Sequence, residues 1–337
     1  MDREKQIIER IRRALVPRSA RSGALGLRLG IGDDAAILRV RAGFEWVVSC
    51  DAFLEDVHFQ LKSHPPESVG YKALARATSD LAAMGAAPRF FFMTLALPGS
   101  STGTWLERFL RGMARASRES GIALAGGDTS RGSKVAVSIT VIGEAEPGRA
   151  VTRSGAKPGD LVFVSGTLGR AELGLKLIQR CPARKLRHLP TLLEPHLYPK
   201  PRIAVGHWLA QTRLASSMID ISDGLSTDLN RLCEASGVGA WIFADRVPVV
   251  TIPRGISSRR FDPLAMALHG GDDYELLFTV PAQRERELSA SPKAIWLSRI
   301  GEITMTKGVI VQDLSARRRR LFPGGWDPFK GQPRRQR

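Results

Sequence analysis

Ser79-Asp80-Leu81-Ala82-Ala83-Met84-Gly85 closes a run of small and apolar residues and sets one acid inside it. From Glu67 to Met84 the apolar positions include Val69, Leu74, Leu81 and Met84, which predicts a helix stopped by Gly85. An Asp in such a helix is costly unless it faces a partner. Asp80 is therefore either a buried metal ligand or a structural carboxylate with a partner of its own. The same chemistry recurs outward along the chain, in Gly30-Ile31-Gly32-Asp33-Asp34, Ser49-Cys50-Asp51, Gly126-Gly127-Asp128-Thr129, Asp220-Ile221-Ser222-Asp223-Gly224 and Gly270-Gly271-Asp272-Asp273-Tyr274. Nearly all these acids stand where apolar runs end, beside Gly, and acids so placed can converge in one cleft. Carboxylates in one cleft repel each other unless cations neutralise them. Oxygen ligands in that number suit Mg²⁺, which usually brings a polyphosphate with it. The pattern points to a metal-dependent, nucleotide-using enzyme.

The surrounding periodicity predicts interleaved helices and strands. A helix is expected over 4–15, and two short strands over 35–40 and 45–50 around the Arg41-Ala42-Gly43 turn. Pairing across that turn would bring Ser49 and Asp51 to the Asp33-Asp34 loop. A buried strand follows at 90–97, then a helix over 105–120 closed by Gly121. Strands at 122–125 and 134–144 flank a loop over 126–132. Pro147, Gly148, Gly155, Pro158 and Gly159 mark a boundary, giving domains of residues 1–147 and 148–337. In the second, strands are expected at 161–165, 216–219, 240–243, 274–280, 295–304 and 308–312. Helices are expected at 171–179, 199–211, 225–235, 263–268 and 282–288, and a loop at 182–194. Both halves read as α/β (α+β).

Composition narrows the class. A chain of 337 residues suits two domains. No apolar run approaches the roughly 20 residues that span a bilayer, and Met1-Asp2-Arg3-Glu4-Lys5 opens a helix rather than a signal peptide. Cys50, Cys181 and Cys233 are odd in number and far apart, so neither a zinc site nor a disulfide framework is indicated. A cytoplasmic protein without a membrane partner is the expectation. The net charge is +17, of which residues 1–28 carry +5 and residues 317–337 carry +7. Arg317-Arg318-Arg319-Arg320 and the 333–337 tail read as solvated appendages. Aromatic residues are not interleaved with them, so any nucleic-acid contact is assigned to the tail alone.

The motifs admit alternatives. Gly127 permits close backbone approach to a ligand, with Asp128 at a strand's carboxyl end, but any tight turn reads Gly-Gly-Asp. Asp223 either joins Asp220 and Ser222 at a ligand site or caps the helix after it. His58 either contacts a substrate phosphate or is structural. There is no phosphate loop ending in Gly-Lys-Ser/Thr, no protein-kinase loop set and no Gly-x-Ser-x-Gly elbow.

Taken in order, the motifs resemble the thiamine-monophosphate kinase family of the aminoimidazole-ribonucleotide-synthetase-like superfamily. The resemblance runs from about residue 28 to Trp326. It rests most on Asp51-Ala52-Phe53-Leu54-Glu55-Asp56-Val57-His58, Ser79–Ala86, Gly126–Gly132 and Thr152–Asp160. It implies a two-domain PurM-like fold, a homodimer whose N-terminal sheets pair into a β-barrel, and a C-terminal α/β domain. It implies ATP as co-substrate, thiamine monophosphate as acceptor and Mg²⁺ held by Asp34, Ser49, Cys50, Asp51, Asp80, Asp128, Asp220 and Asp223. Gly127, Asp128, Arg153 and Ser222 would meet ATP, while His58, Asp272 and Trp326 would meet thiamine phosphate. Asp51, Asp128 and Arg153 would carry catalysis. The chain departs from the family pattern at Cys50, usually Thr, at Asp272, commonly Glu, and in its basic tail. If the Cys50 backbone carbonyl is the ligand, that departure is harmless. The competing readings are another ATP-using synthetase of this fold and a non-catalytic, RNA-associated basic protein.

Overall fold

The computed structural model describes residues 3–16, 26–31, 35–39, 41–254, 256, 261–292, 296–313 and 315–329. The chain forms two compact units. Residues 1–152, 197–215 and 289–293 make the first, and residues 153–196, 216–288 and 294–337 the second. No helix among the described residues is long and apolar enough to cross a membrane.

In the first unit, β3 (Glu45–Leu54), β6 (Ala136–Ala145), β4 (Ala87–Leu97) and β5 (Ala123–Arg131) lie side by side in that order. The pairs are antiparallel except β4–β5, which is parallel. Helices α2 (Pro66–Ala83) and α3 (Thr104–Ser120) are held together with this sheet. Helix α2 is buried at 14 of its 18 positions, polar Ser68, Lys72, Thr78 and Ser79 among them, so it is enclosed nearly all round rather than along one stripe. Its neighbours come unusually close. A Cβ on Gly112 of α3 would lie 1.8 Å from the Glu67 carbonyl oxygen, and one on Gly206 of α7 (Ile203–Gln211) would lie 1.9 Å from that of Ala82. Helix α1 (Arg3–Leu15) buries Ile11 and Leu15 and contacts α3.

Two expectations about this unit change. The 35–40 segment does not pair across Gly43. Instead β2 (Ile37–Leu38) pairs with β1 (Leu27–Leu29), and β3 takes β6 as its partner over all ten residues. The turn itself forms, with the Phe44 N–H on the Arg41 carbonyl at 3.3 Å, while Leu27 of β1 packs with Phe90, Ala123, Ala125 and Ile142. Residues 126–131 are not a loop. They continue β5, whose pairing with β4 runs from Phe90↔Ala123 to Leu97↔Arg131.

The second unit is a seven-stranded sheet. Its order is β13 (Arg318–Arg320), β12 (Gly308–Gln312), β9 (Gly239–Phe243), β11 (Leu297–Thr304), β7 (Leu161–Ser165), β10 (Glu275–Val280) and β8 (Ser217–Ile221). Only β12–β9 is parallel. Helix α8 (Leu225–Ser236) buries Leu225, Leu229 and Leu232 in one core with Ile219, Ile221, Ile242 and Val309. Helices α4 (Arg170–Arg180) and α9 (Pro263–His269) contact each other, and α9 is capped by the Asp262 carboxylate.

Three corrections apply beyond residue 152. Residues 182–194 hold helix α5 (Ala183–Leu186) and most of α6 (Pro190–Leu197) rather than a loop. Helix α7 starts only at Ile203, after Pro199 and Pro201. Residues 282–290 form a 3₁₀ rather than an α-helix. The arginine run also differs from a loose appendage. Arg318–Arg320 is an edge strand on β12, and Arg318 stacks 3.8 Å from the Trp241 ring centroid. The sheet supplies one aromatic partner, Trp241, and the adjoining Phe322 another, its ring centroid 5.2 Å from the Arg320 guanidinium carbon. The 333–337 tail lies outside the described residues.

Replacing Gly112 by Ala should lower the stability of the folded chain by about 1–3 kcal/mol through overpacking. Thermal melting checks this, and an unchanged midpoint would show that the α2–α3 contact relaxes freely.

Candidate active site

In the first unit the strand period of two decides what faces α2. Val47, Ser49, Asp51 and Phe53 alternate with the more exposed Val48, Cys50, Ala52 and Leu54. Ser49 Oγ donates to Asp80 Oδ2 at 2.5 Å. Asp51 does not reach out alone. Arg76, one turn before Asp80 on α2, donates Nε to Asp51 Oδ2 at 3.0 Å and Nη2 to Oδ1 at 3.3 Å. The Cys50 side chain lies on the other face, where Sγ meets Thr140 Oγ1 at 3.4 Å and Ser138 Oγ at 3.5 Å, so only its backbone could serve beside Ser49 and Asp51. His58 follows β3 in a turn. The Leu54 N–H donates to His58 Nδ1 at 3.0 Å, which fixes the neutral tautomer with its proton on Nε2.

Gly127 sits inside β5, and a Cβ there would lie 1.9 Å from the Met93 carbonyl oxygen of β4. Strand pairing therefore requires this glycine whether or not a ligand does. Asp128, the next residue, is exposed opposite Thr94.

In the second unit three segments meet. The Asp272 N–H donates to the Ser222 carbonyl at 2.8 Å, the Tyr274 N–H to that of Ile221 at 2.9 Å, and the Trp326 N–H to that of Asp223 at 2.9 Å. Asp272 and Tyr274 have φ of 67° and 50°, a strained conformation for such residues that these bonds sustain. Tyr274 Oη donates to Asp272 Oδ1 at 2.7 Å, and buried His196 lies 3.7 Å from Asp272 Oδ2. Trp326 is delivered by a strap. The Gly324 and Gly325 N–H groups donate to Ser226 Oγ and Thr227 Oγ1, and Asn230 Nδ2 donates to the Leu321 carbonyl. Asp220 is buried on β8.

Sequence reasoning missed three supporting groups here. The Asp228 carboxylate accepts from the Asp223 and Gly224 N–H groups, and burial pushes its carboxyl up to about 7, with nearby Asp223 adding to the shift. Arg231 Nη1 bridges Asp223 Oδ2 at 2.5 Å and Asp228 Oδ1 at 3.0 Å. Asp273, beside Asp272, instead accepts from the Gly169 and Ala171 N–H groups at the start of α4. Burial raises Asp273 to about 7 against those two donors. The discoverable signal was spacing. Arg76 stands four before Asp80, and Asp228 and Arg231 stand five and eight after Asp223.

Ser222, Asp223, Asp272 and Trp326 are thus brought together, as are Ser49, Asp51 and Asp80. Arg153 is not gathered with the first of these groups. Its carbonyl accepts from Ser236 Oγ at the last residue of α8, while Asp223 precedes the first, and a 12-residue helix spans about 18 Å. Asp33 and Asp34 lie outside the described residues. Ser49, Asp51 and Asp80 offer hard oxygen donors together, the chemistry that Mg²⁺ requires. Among the described residues no three acids, histidines or cysteines close on one point.

Residues 32–145 match the AIR synthase related protein, N-terminal domain, and residues 157–313 match the C-terminal domain of the same family. The molecule is a two-domain protein of that class. The thiamine-monophosphate kinase of Bacillus subtilis (strain 168) is 35% identical over 324 residues, which cover 94% of this chain and 98% of the relative. The solved thiamine-monophosphate kinase of Stenotrophomonas maltophilia K279a matches with a TM-score of 0.79 at 38% identity, over 90% of this chain and 94% of that one. AaThiL complexed with AMPPCP and TMP matches with a TM-score of 0.71 at 33% identity, over 87% and 92% of the two chains. The chain belongs to the thiamine-monophosphate kinase family.

The raised Asp273 pKa has a measurable consequence. Between about pH 4 and pH 7 the folded chain holds a proton there that the unfolded chain has lost, so stability falls as pH rises through that window. Asp273→Asn should flatten this fall by a few kcal/mol, as read from urea midpoints at pH 4.5 and pH 7.5. An unchanged slope would place the titration elsewhere.

Proposed function

We infer that the protein transfers the γ-phosphoryl group of ATP to thiamine monophosphate, giving thiamine diphosphate and ADP. The observation that carries this reading is the near full-length match to thiamine-monophosphate kinases, in a chain whose acids meet in the groups described above.

The chemistry asks little of a base, because the attacking phosphate oxygen is already anionic near neutral pH. It asks for charge neutralisation and in-line alignment of two polyanions. Asp34, Ser49, the Cys50 carbonyl, Asp51, Asp80, Asp128, Asp220 and Asp223 are the proposed Mg²⁺ holders. When bound, Mg²⁺ would supply the positive charge that phosphoryl transfer needs. Gly127 and Ser222 are proposed as backbone or hydroxyl contacts to ATP, and Arg153 as a phosphate-binding cation. His58 would present Nε2–H to the acceptor phosphate. Trp326, held by its own N–H on the Asp223 carbonyl, would offer an aromatic face to the thiazolium cation. Asp272, clasped by Tyr274, would complete the acceptor pocket.

The proposed assembly is a homodimer through the first unit's sheet. Trp46, Val48 and Leu54 on β3 are 38%, 57% and 36% exposed, and β3 is an edge strand of its sheet. A second copy's sheet is the occupant that such a face fits, and pairing the two would give a barrel.

Purified protein with Mg²⁺-ATP and thiamine monophosphate should form thiamine diphosphate, and EDTA should abolish it. ADP release without thiamine diphosphate would move the reading to another acceptor. Asp51→Ala should lower kcat by about 10²–10³-fold; retained turnover would remove Asp51 from the ion site. Val48→Asp should convert the dimer to monomer in light scattering, and a monomeric wild-type chain would overturn the assembly.

A further inference from the structure

Each candidate ion-binding group contains an arginine placed where a cation would sit. In the first unit Arg76 grips both oxygens of Asp51, with the Arg76 and Asp51 side chains only 16% and 28% exposed. In the second, Arg231 spans Asp223 and the fully buried Asp228. Both arginines come from helices, α2 and α8, and reach acids on neighbouring backbone, Asp51 on β3 and Asp223 just before α8, besides Asp228 on α8 itself. Asp80 follows Arg76 by one turn, and Asp228 precedes Arg231 by one.

A guanidinium and a divalent ion compete for the same carboxylate lone pairs. A carboxylate held on both oxygens by one arginine is charge-balanced, and an approaching cation meets a positive neighbour within a few ångströms. Moving Arg76 off Asp51 costs it a carboxylate gripped by two bonds, which another anionic acceptor can replace. Nucleotide phosphates are such acceptors, and their oxygens suit a planar guanidinium.

Building on the kinase reading and its ion assignments, we propose that Arg76 and Arg231 are resident counter-cations that make divalent-ion binding depend on nucleotide. Without nucleotide they occupy Asp51 and the Asp223–Asp228 pair and keep ion affinity low. At either place, phosphates of a bound nucleotide take over the guanidinium group and its carboxylate becomes open to an ion. They are positioning residues for the acids, and the ion and its nucleotide arrive together.

The test is equilibrium dialysis of Mn²⁺ against the full chain, without nucleotide and with AMPPCP. Wild type should bind Mn²⁺ at least tenfold more tightly with AMPPCP present. Arg76→Gln and Arg231→Gln should each bind it at least tenfold more tightly than wild type when nucleotide is absent. Arg76→Lys, which keeps the charge, should stay near wild type. Melting curves accompany each variant, and if Arg76→Gln does not fold, Arg231→Gln decides. Gln variants that melt earlier but bind Mn²⁺ no better than wild type would make both arginines structural clamps and overturn the proposal. Failure of every chain to bind Mn²⁺ even with AMPPCP would overturn the ion assignments and this inference together.

Discussion

Helix α2 is the element on which the first unit depends. It is buried almost all round because sheet, α3 and α7 all approach it, and Gly112 and Gly206 admit two of those approaches at backbone distance. Packing of that closeness fixes rotation as well as position. The helix cannot turn about its axis without driving Gly112 or Gly206 off the backbone carbonyls they face. Arg76 and Asp80 therefore project toward β3 in a set orientation, and Ser49 and Asp51 meet them because the strand period puts both on the same face. A packing constraint thus aims the polar groups.

The second unit solves a similar problem with backbone rather than with packing. Loops carrying Ser222, Asp272 and Trp326 are bound to each other through main-chain N–H and C=O groups. Such bonds set the three backbones in register, and the Asp272 carboxylate is then held separately by Tyr274 Oη. Asp228 and Asp273 act differently. Asp228 Oδ2 takes two main-chain N–H groups at the start of α8 while its Oδ1 accepts from Arg231, and Asp273 takes two N–H groups at the start of α4 with its two oxygens.

Much of this was legible in the chain. Helices α2, α3, α4 and α8 and strands β4, β7 and β9 follow from apolar period, with Gly85 and Gly121 as stops. Two of the failures concern glycine signals. The turn at Gly43 forms, but β2 pairs with β1 instead of β3, and Gly126-Gly127 makes no turn because β5 extends along β4. The glycine-flanked acids marked where chemistry gathers. Their partners, Arg76, Asp228 and Arg231, lie on helix faces with no such flag, and became visible only when side-chain distances were known. Asp272 and Asp273 are adjacent and alike in sequence, and only the fold separates a loop acid from a helix cap.

Residues 197–215 leave one unit and complete the other, with Gly206 of α7 seated on the Ala82 carbonyl of α2. The chain therefore passes into the second unit, returns to finish the first, and departs again. Contacts between α2 and α7 join residues more than a hundred positions apart, the kind of closure that slows folding. A fragment ending at residue 152 would present α2 with an unfilled groove, and one beginning there would carry α7 with nothing to cover it. Neither half is therefore a module that a single cut in the chain would lift out whole.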